Sequence, residues 1–124
     1  MKEDQLNIFG EKIEECSCSP VTGFFRTGCC ETSGADKGSH TVCTVLTDDF
    51  LNYSFKKGND LITPVPEFNF PGLKAGNKWC LCAPRWQEAL VGGFAPKVLL
   101  ASTNIKSLEY IDLEDLKKFA LDLS

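Results

Sequence analysis

Apolar and polar residues first fall into a regular pattern at His40-Thr41-Val42-Cys43-Thr44-Val45-Leu46, where β-branched residues predict a strand. Thr47 follows as a helix N-cap. Asp48 and Asp49 suit the positive end of a helix dipole, and Phe50, Leu51 and Phe55 form one apolar face. Lys56 and Lys57 suit a last turn and Gly58 the position beyond it, so a helix is predicted over residues 48–57. From Asn59 to Lys78, Pro64, Pro66 and Pro71 break any regular element, yet Leu61, Ile62, Phe68, Phe70 and Leu73 make the stretch strongly apolar. A long Pro-rich loop, ordered because it packs down, is expected there, and loops of that kind are often functional. Trp79 to Cys82 reads as a short strand, and Pro84 opens a helix through Trp86, Ala89 and Leu90 that stops at Gly92-Gly93. Lys97 to Ser102 reads as a buried strand, residues 104–108 as a helical turn, and Leu108 to Ile111 as another short strand. Asp112 caps a final helix whose apolar face carries Leu113, Leu116, Phe119, Ala120 and Leu123.

Strands and helices in irregular order predict an α+β fold rather than a doubly wound one. The expectation is a single domain over residues 1–124, with a small mixed sheet and about three helices. A chain of this length buries roughly two-thirds of its unfolded surface, enough for a core. Every cysteine, the only histidine and most of the glycine and proline lie before residue 83, but no linker separates that zone from the rest.

Charge narrows the function. The net charge is −4 with both signs interspersed, and no Lys/Arg run exists to follow a phosphate backbone, so no nucleic-acid partner is expected. The polar start shows no export signal and no apolar run approaches membrane-spanning length, so a soluble cytoplasmic protein is expected. A reducing compartment would keep the seven cysteines as thiols, leaving free thiols, metal ligands and buried small residues as readings.

Cys80-Leu81-Cys82 on a strand would turn both sulfurs to one face and Trp79 and Leu81 to the other. That spacing suits core packing better than zinc, although Cys16-Ser17-Cys18 offers a second pair for a metal. Cys29-Cys30 follows Gly28 and lies near Arg26, whose charge would favour a thiolate; one of the two could face the core and the other a pocket. His40 is three residues before Cys43 and is the only imidazole available as a base, a metal ligand or a strand-end hydrogen-bonder. Asp60 and Arg85 flank the aromatic segments and could fix a polar ligand in an apolar cleft or pair with each other to anchor the loop.

Several spaced segments carry a resemblance. They are Phe9-Gly10, TGFFRTGCC from Thr22 to Cys30, HTVC from His40 to Cys43 and T-x-x-F-L from Thr47 to Leu51. GNDL-x-TP from Gly58, FPGL-x-x-G from Phe70, WCLCA-x-RW from Trp79 and LEDL from Leu113 follow in order. Over nearly its whole length the chain resembles the bacterial proteins grouped as domain of unknown function 2237. The resemblance implies a compact stand-alone domain with no activity or catalytic residue to carry over; Cys18 departs from its pattern.

Three functions are therefore carried forward. The first is binding of a small molecule or protein partner in a pocket near the 59–78 loop, with Arg26, Asp60, Arg85 and Trp86 as ligand-binding residues. The second is a thiol-dependent enzyme or redox protein using Cys29, Cys30 and His40. The third is a zinc-stabilised module. Neither a cofactor nor a bound metal is expected on the leading reading.

Overall fold

The β-branched run forms the central strand, β1 (His40–Val45), of an antiparallel sheet in the computed structural model of the chain, which describes residues 5–18 and 20–123. Residues 1–4, the polar start, lie outside the described residues. Among those described, β1 is flanked by β2 (Lys78–Cys82) and β3 (Lys97–Val98), giving the order β2-β1-β3. Three α-helices accompany the sheet: α1 (Asp48–Lys56), α2 (Ala83–Gly92) and α3 (Leu113–Phe119). The architecture is α+β, and no helix of the described residues is long and apolar enough to cross a membrane.

Local chemistry explains the boundaries. Thr47 accepts the N–H of Phe50, and α1 ends where Gly58 takes φ +91° so that Gly58 and Asn59 donate back to Phe55 and Ser54. Cys82 is the N-cap of α2, Pro84 sits in its first turn, and Gly93 at φ +86° stops it. The expected strand over 97–102 is shorter. Val98 ends it and Leu100–Ser102 turn into a 3-10 segment, because the Asp122 carboxylate accepts the N–H groups of Leu100 and Ala101. The strand expected at Leu108 to Ile111 is not formed. Asn104 accepts the Lys106 N–H and starts a 3-10 helix, Ile105–Glu109, that consumes those positions.

The sheet separates two cores, as strand alternation requires. Val42, Leu81, Trp79 and Val98 join Leu46, Phe50, Trp86, Leu100 and Leu116 on the helical side. Cys43 and Cys80, opposite one another on β1 and β2, point the other way into a smaller cluster with Ile13, Cys16 and Cys30. The chain before β1 covers this second face as coil. It is fastened by the Cys16–Cys43 and Cys30–Cys80 disulfides, by Thr22 accepting the Cys80 N–H, and by Asn104 donating to the Cys30 carbonyl. Between α1 and β2, Leu61 and Leu73 are buried and joined by a backbone bond, and a 3-10 turn at Pro66–Phe68 lifts Phe68 into solvent.

Candidate functional site

Sheet register brings the chemistry together. From Val45–Lys78 to Val42–Leu81 the β1–β2 pairs keep one register, and then the register shifts so that His40, not Thr41, lies opposite Cys82. Thr41 is the extra residue of a bulge, a device that re-aims side chains beside functional sites. Ser39 adopts φ +50°, an uncommon conformation for a residue with a side chain, and its carbonyl accepts the N–H groups of Thr41 and Ala83. The His40 backbone is thereby tied to the start of α2, where Cys82 stands.

Asp36 completes the arrangement. One carboxylate oxygen accepts His40 Nδ1 at 2.6 Å; the other accepts the His40 N–H at 2.8 Å and the Thr32 hydroxyl at 3.1 Å. The Asp36 side chain is fully buried, whereas that of His40 is 35% exposed. Gly38 permits the close approach of the other two groups: a Cβ there would lie 3.0 Å from His40 Cε1 and 3.1 Å from Cys82 Sγ. The neighbouring Cys82 thiol, together with the hydrogen bond to Asp36, raises His40 from its usual 6.5 to about 9 against the opposing effect of burial. His40 is therefore charged at neutral pH. Phe24 lies against the imidazole at a centroid distance of 6.0 Å.

His40 and Cys82 line a cleft of about 280 Å³ shared with Arg26, Asp60, Phe68 and Trp79. Arg26 Cζ lies 5.3 Å over the Trp79 ring, a cation–π contact, and its backbone at φ +56° is another left-handed residue at the cleft. Asp60 caps its own loop by accepting the Ile62 and Thr63 N–H groups, and the hydrogen bonds from Thr63 hold its carboxyl below the usual range.

The residues expected from the sequence divide accordingly. Arg26, His40 and Asp60 meet at the cleft. Arg85 does not pair with Asp60; it donates to the Lys57 carbonyl at the end of α1 and to Glu88. Trp86 is wholly buried, donates to the Pro96 carbonyl and packs edge-on against Phe119, so it serves the core. Cys30 is wholly buried and bonded to Cys80. Cys29 is partly exposed, as one of the adjacent pair was expected to be, but burial and then Glu31 and Glu15 push its thiol up rather than down. Cys18 is pushed up too, first by its hydrogen bond to Glu15.

Four of the seven cysteines are thus paired, against the expectation of mostly reduced thiols. The alternative of Cys16 and Cys18 facing Cys80 and Cys82 around a metal is not formed. Cys16, Cys30 and Cys80 have sulfurs within 4.8 Å of one another, but each is a disulfide sulfur and not the thiolate a metal needs. Sequence reasoning had singled out neither Asp36 nor the union of Cys82 with His40. Two signals for them existed: Asp36-x-x-x-His40 in a turn-rich stretch, and a cysteine just before the Ala83-Pro84 helix start.

The family model described as an uncharacterised protein conserved in bacteria, domain of unknown function 2237, matches residues 6–120. The chain belongs to this family. That membership names no reaction, substrate or site residue, so function rests on the site itself. A search of curated proteins gives no match.

Proposed function

We propose that this protein binds a small molecule in the cleft beneath the 59–78 loop, and that the ligand pairs an aromatic or apolar body with an anionic group. The observation that carries the reading is the Arg26 guanidinium held over Trp79 in the cleft that His40 and Phe68 also line. The ring contact restrains the guanidinium, and one of its nitrogens is already given to the Gly23 carbonyl at 3.1 Å. The remaining donors suit a carboxylate. His40, charged at neutral pH, adds a second positive group, while Phe68, Phe70 and Trp79 supply apolar walls. A volume of about 280 Å³ suits a compact ligand. The same reading puts the protein in the cytoplasm, where the bridged sulfurs, at most 4% exposed, are shut off from reducing thiols.

The test is a titration followed by NMR with phenylacetate, and with benzylammonium as the charge-reversed control. Saturable shifts at Arg26, Trp79 and Phe68 with phenylacetate alone are expected. Arg26→Ala should weaken binding about tenfold or more, the usual effect of losing a charge-assisted hydrogen bond. A preference for benzylammonium, or no saturable shift at these residues, refutes the reading.

A further inference from the structure

Cys82 is more than part of the cleft wall. It is one of three unpaired cysteines, and the only one of them whose strand partner is a histidine. It stands at the N-cap of a ten-residue helix, a position that favours a negative sulfur. Its imidazole neighbour is gripped from behind by a buried carboxylate, which fixes the ring and stabilises it when charged. The other two free thiols are held protonated by nearby carboxylates or burial. We propose that Cys82 is a nucleophilic thiol with His40 as its proton partner and Asp36 as a positioning residue, and that it accepts the acyl group of a small activated ester or thioester.

This rests on the cleft as the binding site, and it adds a reaction. In the thiolate–imidazolium form of the pair, Sγ attacks the carbonyl carbon. The new C–S bond forms as the bond to the leaving oxygen or sulfur breaks, its electron pair staying with the leaving atom, which takes the proton from the imidazolium. Water then surrenders a proton to the freed imidazole and attacks the acyl-cysteine. The acid departs and Sγ is expelled as a thiolate, with the proton from water left on the imidazolium. The charged or titratable groups facing the imidazole are Asp36 behind it and Cys82 across the strand pair, with Arg26 and Asp60 on the cleft wall.

The experiment uses the intact protein with 4-nitrophenyl acetate, read as nitrophenolate release and as acetyl mass on each cysteine-containing peptide. Iodoacetamide alkylation of each free thiol is followed against pH in parallel. Expected is a stoichiometric burst placing acetyl on Cys82 and not on Cys18 or Cys29, with alkylation at Cys82 about tenfold faster than a free thiol at neutral pH. His40→Gln should cut acyl transfer by about a hundredfold, the usual scale for a lost general base. Asp36→Asn should move the alkaline limb of the pH profile to lower pH, because imidazolium is lost earlier without the carboxylate behind it; a merely structural role would not move that limb. Gly38→Ala should slow the reaction by wedging a methyl between ring and sulfur. Acetyl spread evenly over the three free thiols, or a Cys82 rate that His40→Gln leaves unchanged, overturns the proposal. Phenylacetate titration of Cys82→Ser separates the two readings. Binding retained while acylation is lost supports both; acylation in a wild type that binds no phenylacetate refutes the anion cleft and leaves the nucleophile standing.

Discussion

Reduction of the two disulfides tests how the coil before β1 is held. Among the described residues it has no helix or strand before His40, and it covers the Cys43 and Cys80 face of the sheet. In the chain-entropy treatment a closed loop of 27 residues, as between Cys16 and Cys43, stabilises by about 3.6 kcal/mol. For the separation of 50 residues between Cys30 and Cys80 the same treatment gives about 4.1 kcal/mol. A domain of 124 residues has an unfolding entropy near 0.26 kcal/mol/K, so losing one bridge should lower Tm by roughly 15 °C. The double substitution Cys30→Ala with Cys80→Ala isolates one bridge, and a strong phosphine reductant removes both. Thermal unfolding followed by circular dichroism reads the shift, and thiol titration in denaturant without reductant should find the three thiols of Cys18, Cys29 and Cys82. Seven titratable thiols before reduction, or a Tm that reduction does not move, would refute the disulfide assignment and the account of how this layer is held.

Further predictions follow from the same contacts. Because the folded-state pKa of His40 is raised from 6.5 to about 9, its stabilising effect is complete below about pH 6.5 and is lost as pH rises toward 9. Urea midpoints should fall across that window and fall less in His40→Gln, with an effect damped by the 35% exposure of the ring. Asn104→Ala removes a donor from the buried Cys30 carbonyl and should cost about 2 kcal/mol in urea unfolding, detaching the coil from the 3-10 helix before it affects the helical core. Leu116→Ala, at a position with no exposure, should cost about 3 kcal/mol; a change under about 1 kcal/mol would mean that α3 is not part of the main core.

The helices were legible because each carries its own punctuation. Thr47 and Gly58 bound α1, and Pro84 and Gly93 bound α2, within a residue or two of where caps and a left-handed glycine place them. The strands at 40–45 and 78–82 were legible from β-branched and aromatic content. What failed were segments whose state is decided by distant groups. The Asp122 carboxylate turns residues 100–102 away from the sheet, and nothing between Lys97 and Ser102 announces a carboxylate about twenty residues on. α3 likewise stops at Phe119 because Leu121 donates to the Val98 carbonyl, a contact between elements rather than a property of the helix pattern.

The site was half legible for a more particular reason. Arg26, His40 and Asp60 stood out as chemistry-bearing side chains, and all three reach one cleft. Strand alternation alone, carried outward from Cys43–Cys80, would put Thr41 beside Cys82 and leave His40 pointing elsewhere. A single bulged residue reverses that outcome. It is sustained by Ser39 in a left-handed conformation, by the Asp36 carboxylate on the His40 N–H, and by Ala83 donating to the Ser39 carbonyl. Each of these contacts depends on a residue that looks like ordinary turn chemistry in the sequence. A left-handed serine and an interrupted ladder persist only where the surroundings over-determine them, and here the surroundings converge on one histidine–cysteine strand pair. What the bulge achieves is to set an imidazole residue, backed by a buried carboxylate, opposite the cysteine at a helix start.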